Sequence, residues 1–290
     1  MRNILARGLL HFFGFTPLRF NQWLGRRVGS LIWRFSEKTK RITEINLDLC
    51  FPKKKREWKE NTGKLSTQSM AEALLESPRL WKLPAEKLRK LCINSESFDE
   101  IKIAFEKNQG LIVATPHLGS WEYAGLFLAD HFPTTTLYRP PRLKAIDSII
   151  KNGRANTGAT LVPTTASGIK AMTKAIRENK CIGLLPDQEA TRGNGVFADF
   201  FKVPAYTMHL LPRMAQRRNS PVFLIFAERL KHGRYQLHVH KLPTAIYDPD
   251  MQTACTSLNQ AVEKMVRINP RQYNWAYKRF REMTDGSIRY

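Results

Sequence analysis

Leu111-Ile-Val-Ala-Thr-Pro-His-Leu-Gly-Ser-Trp-Glu122 predicts a buried strand, a turn and the start of a helix within one short stretch. Leu111–Thr115 is an apolar run of strand length that a proline ends, and a second apolar run covers Trp121–Leu128. Side chains five residues apart on one helix diverge by about 140°. His117 can therefore meet Glu122 only if His117 lies in the turn. There an imidazole can take a proton from a hydroxyl while a carboxylate fixes its tautomer, so we expect His117 to be a general base that Glu122 orients.

Short apolar runs alternate with helical segments along the rest of the chain. The predicted strands cover residues 111–115, 134–138, 159–163, 181–185 and 221–226, and the predicted helices cover about 119–131, 142–157, 167–179 and 207–218. An edge strand at 234–242 and a closing helix at 251–268 follow. This order predicts an α/β fold with a mainly parallel central sheet flanked by helices.

Polar side chains follow three of the predicted strands. His117 comes after the first strand, Arg139 ends the second, and Asp187 and Gln188 come after the fourth. Ligands of parallel α/β sheets bind at the carboxyl ends of the strands. We therefore expect these side chains to converge on one site.

The chain is strongly basic, with 47 Lys and Arg against 25 Asp and Glu and a formal net charge of +22. Such a charge favours anionic partners. Residues 1–36 contain no acidic residue and mix arginines with aromatic and aliphatic side chains. We interpret residues 1–35 as a helical segment lying on anionic membrane lipid, and residues 36–290 as the catalytic domain. The alternative is that residues 1–35 only pack on the core. The arginines and Pro17 argue against a membrane span.

Other classes of protein and of site are less well supported. Nucleic-acid binding would fit the charge, but no helix-turn-helix, RNA-recognition or zinc signature is present. The four cysteines are widely spaced, which favours reduced thiols over disulfides or a zinc site. His238 and His240 share one face of a strand, but no third ligand lies nearby in sequence, so we expect no metal there.

Several segments resemble the glycerolipid and lipid A acyltransferase superfamily, and within it the late acyltransferases of lipid A synthesis. The His-x4-Glu stretch has that superfamily's pattern. The further matching segments follow in the family order: Asn46-Leu-Asp-Leu-Cys-Phe-Pro52, Tyr138-Arg-Pro140, Gly153-Arg154, Leu185-Pro-Asp-Gln188, Phe197-x-x-Phe-Phe201 and Asn269-Pro-Arg-Gln-Tyr273. The resemblance covers about residues 38–282.

The resemblance implies a membrane enzyme at the cytoplasmic face of the inner membrane. It would move a fatty acyl chain from acyl carrier protein, a highly acidic donor, to a hydroxyl of a lipid A precursor of the Kdo-lipid IV type. His117 and Glu122 would be catalytic, and Arg139, Arg154, Asp187 and Gln188 would bind substrate. Arg154 would hold a phosphate or the oxyanion, and Asp187 would bind sugar hydroxyls or orient Arg154. Neither a metal nor a cofactor is expected.

Two departures from the family pattern, and several alternatives, leave the substrates open. Lys202 stands where the family usually has glycine, and Glu189-Ala-Thr191 replaces its usual continuation after Asp187-Gln188. The same scaffold would also suit acyl-CoA or an aminoacyl carrier protein as donor, or a glycerophospholipid as acceptor. Because the attacking hydroxyl belongs to the acceptor, no catalytic Ser or Cys is required.

Overall fold

The computed structural model describes residues 2–290, and its centre is a six-stranded sheet in the order β3-β2-β4-β1-β7-β8. All neighbouring strands run parallel except β8, which is antiparallel to β7 at one edge. The strands are β1 Leu111–Ala114, β2 Thr134–Tyr138, β3 Thr160–Pro163, β4 Cys181–Leu184, β7 Val222–Arg229 and β8 Tyr235–Lys241. A separate antiparallel hairpin consists of β5 Gly195–Phe200 and β6 Val203–Met208. The predicted mainly parallel α/β fold is confirmed.

Helices cover both faces of this sheet. They are α1 Arg2–Phe15, α2 Leu18–Phe35, α3 Glu37–Cys50, α4 Arg56–Leu80, α5 Ala85–Arg89, α6 Asp99–Glu106, α7 Trp121–His131, α8 Asp147–Ala155, α9 Ala166–Arg177, α10 Leu210–Gln216 and α11 Met251–Ile268. In β1, Leu111 and Val113 pack into the core that contains α7, whereas Ile112 and Ala114 pack into the core that contains α9, α10 and α11. Burial on both faces explains why β1 is apolar throughout rather than alternating.

The N-terminal residues form two helices that meet at Pro17, and α2 packs closely along α4. A Cβ on Gly25 would lie 2.6 Å from the Cα of Glu72, and one on Gly29 would lie 2.4 Å from the Cα of Gln68. Only glycine allows the two backbones to approach this closely. The two glycines of the Gly25-x3-Gly29 pattern therefore form a helix–helix contact within the molecule.

The opposite side of α1 and α2 exposes large apolar side chains. These are Ile4, Leu5, Leu9, Phe12, Phe15, Phe20, Trp23, Val28, Leu31, Ile32 and Phe35, with Leu74 of α4 exposed as well. Arginines border them, and the guanidinium of Arg27 lies 5.6 Å from the centre of the Trp23 ring. No helix within residues 2–290 is both long enough and apolar enough to cross a membrane.

The hairpin is the main difference from the predicted elements. A helix was expected from residue 207, but β6 extends to Met208 and α10 begins only at Leu210. Its turn holds Phe201 and Lys202 at φ values of 53° and 63°. Two consecutive positive φ angles are typical of a tight hairpin turn. Lys202 thus adopts a left-handed conformation at the position where the family usually has glycine.

Candidate active site

A cavity of about 820 Å³ opens beside the carboxyl ends of the strands. Its lining comes from both faces of the sheet and includes His117, Glu122, Arg139, Arg154 and Gln188. One part, which we call the α7 side, is lined mainly by small and apolar residues: Val113, Gly125, Leu126, Leu128, Thr136, Gly183 and Ile225. The convergence predicted from the strand ends is therefore present.

His117 is held by the segment that follows the neighbouring strand. Its Nδ1 lies 2.8 Å from Oδ1 of Asp187, and its backbone N–H donates to Oδ2 of the same carboxylate at 2.8 Å. Strands β1 and β4 pair in parallel with Ala114 opposite Leu184, which places the two following segments side by side. Asp187 therefore fixes both the backbone and the ring of His117.

The carboxylate of Asp187 is almost completely buried. Burial alone would raise its pKa, but the charge and the hydrogen bonds of His117 lower the pKa below its usual value. An ionised Asp187 accepts the proton on Nδ1 of His117 and so leaves the lone pair on Nε2. Nε2 lies 3.3 Å from the side-chain amide nitrogen of Gln188.

Glu122 makes no hydrogen bond to the His117 ring, whose Nδ1 is bound to Asp187, so the prediction that Glu122 orients His117 is wrong. Its carboxylate accepts two hydrogen bonds of 3.1 Å from Nε of Arg154, a third from Nη2 of Arg154, and one of 2.9 Å from Nε1 of Trp81. Gly119, at a φ of 61°, turns the chain between His117 and α7. Glu122 consequently faces the helices α4 and α8, whereas His117 faces the segment after β4.

Arg154 lies in the last turn of α8 and is bound to Glu122. Burial alone would lower its pKa, but Glu122 raises the pKa above the usual value. Its guanidinium also lies 5.6 Å from the centre of the Tyr138 ring. The predicted alternatives in which Asp187 orients Arg154 or binds sugar hydroxyls are not supported, because Asp187 is buried against His117.

Arg139 is exposed at the cavity and has no ion pair among residues 2–290. The sequence prediction missed three further basic residues of the lining, His209, Arg213 and Arg217. Burial and the charge of Arg213 lower the pKa of His209, so the imidazole is neutral near pH 7. His209, Arg213 and Arg217 are spaced four residues apart, which places them on one face of a helical segment. This spacing is visible in the sequence.

The turn after His117 fits tightly against β7 and the C-terminal segment. A Cβ on Gly119 would lie 2.2 Å from the carbonyl oxygen of Ala227. Gly119 N–H donates to the carbonyl of Gln272 at 3.0 Å, and Ser120 N–H donates to the carbonyl of Ala227 at 2.8 Å. The position of His117 is thus fixed by segments from distant parts of the chain.

The second departure from the family pattern, Glu189, binds the C-terminal segment. Its buried carboxylate lies 2.9 Å from Nε of Arg281 and accepts the backbone N–H of Glu282 at 2.8 Å. The four cysteines are free and buried. Among residues 2–290, no group of three or more His, Cys, Asp or Glu side chains is placed to hold a metal ion.

The sequence is similar to known proteins over most of its length. The sequence model of the family described as bacterial lipid A biosynthesis acyltransferase matches residues 3–282. The chain is 25% identical over 268 residues to the lipid A biosynthesis palmitoleoyltransferase of Escherichia coli (strain K12), covering 91% of this chain and 86% of that protein. It is 23% identical over 265 residues to the lauroyltransferase of the same organism, again covering 91% and 86%. The myristoyltransferase is 23% identical over 284 residues, covering 94% and 84%.

Proposed function

The chain belongs to the bacterial family of lipid A biosynthesis acyltransferases, and on that premise we propose that it moves a fatty acyl chain from acyl carrier protein to a hydroxyl of a lipid A precursor. The observation that carries this proposal is the His117–Asp187 pair at the edge of a cavity with an apolar side. A base whose Nε2 carries a lone pair suits the activation of an acceptor hydroxyl.

In the proposed reaction, Nε2 of His117 takes the proton of the acceptor hydroxyl as its oxygen attacks the thioester carbonyl. A new C–O bond forms, the C–S bond breaks, and the imidazolium returns the proton to the departing thiolate. Asp187 stabilises the imidazolium between these steps, as a carboxylate does for the histidine of a catalytic triad. The Gln188 amide must move aside, or turn towards the substrate, to admit the hydroxyl.

We assign a separate role to Glu122 and Arg154. Glu122 would hold the guanidinium of Arg154 at the cavity wall, where its positive charge stabilises the oxyanion that develops on the thioester carbonyl. Arg139 and Arg213, both exposed at the cavity, would bind the anionic groups of the lipid A precursor. The predicted site residues His117, Glu122, Arg139 and Arg154 keep a role in this proposal, but the carboxylate that orients His117 is Asp187.

The acyl chain would occupy the α7 side of the cavity. Apart from its chain neighbours and the backbone of its own helix, no atom lies within 4 Å of the position that a Cβ on Gly125 would take, so this glycine borders open space. Val113, Leu126 and Ile225 line the same part with apolar atoms. Apolar lining next to a base is the environment that a fatty acyl thioester requires.

We further propose that the exposed apolar face of α1 and α2 lies on the cytoplasmic surface of the inner membrane. Aromatic and aliphatic side chains bordered by arginines suit the boundary between anionic headgroups and acyl chains. Because α2 packs on α4, deletion of residues 1–35 would uncover α4. Substitutions on the exposed face are therefore the better test of membrane binding.

The proposed function is tested by incubating the purified protein with a lipid A precursor and one donor at a time, and weighing the products by mass spectrometry. The donors are acyl carrier protein thioesters, acyl-CoA and an aminoacyl carrier protein, and a glycerophospholipid acceptor is run in parallel. We expect a mass gain of one acyl chain on the lipid A precursor with the acyl carrier protein donor, and no gain with His117→Ala. Transfer only from another donor, or only to the glycerophospholipid, would overturn the respective assignment.

A further inference from the structure

A buried group of charged and polar side chains lies behind the turn that carries His117, outside the cavity lining. We call it the Glu76 cluster; its members are Glu76, Arg229, Ser120, Ser69, Gln22 and Tyr235. The Glu76 side chain has no exposed surface, and only 4% of the Arg229 side chain is exposed. The reaction proposed above uses none of these groups.

The Glu76 carboxylate uses both of its oxygens. Oε1 accepts from Nε of Arg229 at 2.8 Å and from the hydroxyl of Ser120. Oε2 accepts from the Gln22 amide at 2.8 Å and from the Tyr235 hydroxyl at 2.9 Å. One oxygen therefore serves the turn after His117, and the other serves α2 and β8.

Arg229 completes the contact with the turn. Its Nη2 donates to the carbonyl of Gly119 at 2.6 Å, and its Nη1 donates to the hydroxyl of Ser69 at 2.8 Å. Burial alone would lower the pKa of Arg229, but the charges of Glu76 and Glu72 raise the pKa above its usual value, so the guanidinium stays charged. The pair thus holds Gly119 by its carbonyl and Ser120 by its hydroxyl.

A buried ion pair is weak evidence for a gain in stability, because desolvation of the two charges offsets their attraction. Polar contacts of this pair instead reach Gly119 and Ser120, two of the three residues between His117 and Trp121. A shift of the turn would displace the imidazole relative to the cavity. Misplacement of a catalytic group by about 1 Å can cost on the order of 10²-fold in rate.

We propose that Glu76 and Arg229 are positioning residues that fix the turn at Gly119 and Ser120, and thereby the direction of the His117 imidazole. This inference rests on the proposed function, since it assigns His117 as the base. Glu76 and Arg229 contact no substrate and act only through the turn.

Two substitutions that each remove one hydroxyl from the Glu76 carboxylate provide the test. Ser120→Ala removes the contact from the turn, whereas Tyr235→Phe removes a contact from β8 and keeps the hydrogen bond of Ser120 to Glu76. We expect Ser120→Ala to lower kcat roughly tenfold with KM within about twofold. Tyr235→Phe, the matched control, should keep kcat within about twofold although its thermal midpoint falls. Arg229→Lys, which keeps the charge but not the planar set of donors, should lower kcat further.

A spectroscopic measurement keeps the inference testable apart from catalysis. The proton on Nδ1 of His117, hydrogen-bonded to Asp187, gives an NMR resonance that is identified by its loss in His117→Ala. We expect this resonance to shift in Ser120→Ala and in Arg229→Lys, and to stay in place in Tyr235→Phe. Equal losses of kcat in Ser120→Ala and Tyr235→Phe, or an unchanged resonance in the turn variants, would overturn the inference. If the wild-type protein transfers no acyl chain, the proposed function fails, while the resonance still tests the positioning.

Discussion

Two carboxylates at the same cavity hold their partners for different purposes. At the strand ends, Asp187 binds a histidine, which gains and loses a proton. In the helical layer of α4, α7 and α8, Glu122 binds an arginine, which stays charged throughout. A carboxylate beside a histidine sets its tautomer, whereas a carboxylate beside an arginine sets only its position. We therefore expect proton transfer to depend on the strand ends, and substrate binding and charge stabilisation to depend on the helical layer.

The largest effect is expected at the strand ends. His117→Ala and Asp187→Asn should each lower kcat by about 10²–10⁴, because the first removes the base and the second offers Nδ1 an amide N–H that favours the wrong tautomer. The two residues act as a unit, so the double variant should be scarcely worse than either single variant. Steady-state kinetics with the lipid A precursor measure this, and near-normal turnover by Asp187→Asn would remove Asp187 from the mechanism.

The Glu122–Arg154 pair should give a smaller loss of activity. We expect Glu122→Ala and Arg154→Lys to lower kcat/KM by on the order of 10² each, because the guanidinium loses its position or its planar set of donors. A double-mutant cycle should show strong coupling of Glu122 with Arg154 and nearly independent effects of Glu122 and Asp187. Strong coupling of Glu122 with Asp187 would break the comparison drawn above.

The exposed apolar face of α1 and α2 lies outside the helical layer, and substitutions on it test the proposed membrane binding. Phe12→Glu combined with Phe35→Glu should reduce binding to anionic vesicles by roughly tenfold or more, since each exposed aromatic ring loses its burial in lipid. Sedimentation with vesicles measures this loss. High salt should weaken the binding of the wild-type protein without abolishing it.

The matched control for the membrane face is Ile103→Glu, which alters an equally exposed apolar residue on α6. Its binding to the vesicles should equal that of the wild-type protein. Equal binding by the Phe12 and Phe35 double variant would refute the membrane assignment.

The choice of acyl chain tests the α7 side of the cavity. Gly125→Leu should shorten the preferred acyl chain by about two to four carbons, because a leucine side chain takes the space of a few methylenes. The measurement is a competition among acyl carrier protein thioesters of different lengths, with the products weighed by mass spectrometry. Unchanged preference would place the chain elsewhere in the cavity. Gly8→Leu, at a second helical glycine with open space around it but outside the α7 side, is the control for a general effect.

The smallest effect is expected outside both regions, at the hairpin turn. Lys202→Gly should raise the free energy of unfolding by about 0.5–1 kcal/mol, because glycine adopts the left-handed conformation without the steric cost that a side chain pays. Chemical denaturation measures the change, and kcat should remain within about twofold. Destabilisation by this substitution would show that the Lys202 side chain contributes more than its backbone conformation costs.

The elements that depend on local pattern were predicted well. β2 and α11 have the predicted bounds, and the strand-end rule placed His117, Arg139 and Gln188 at one cavity. The partner of His117 was not predicted. The sequence shows only the local spacing from His117 to Glu122, whereas the contact with Asp187 depends on the pairing of β1 with β4. The hairpin was missed for a similar reason, since positive φ angles at non-glycine residues leave no compositional signal.

The Glu76 cluster also has a consequence for the order in which the chain folds. The Ser120 hydroxyl binds Glu76, which lies 44 positions earlier in the chain. The Gly119 carbonyl binds Arg229, which lies 110 positions later. Contacts between residues so far apart in the sequence form late, because the chain must lose the entropy of loop closure before these contacts stabilise the fold. During synthesis, α1 and α2 leave the ribosome long before Arg229 does, so their apolar face exists before the turn at His117 can be completed. The apolar residues of α1 and α2 are thus synthesised early, whereas the contacts that complete the turn after His117 are among the last to form.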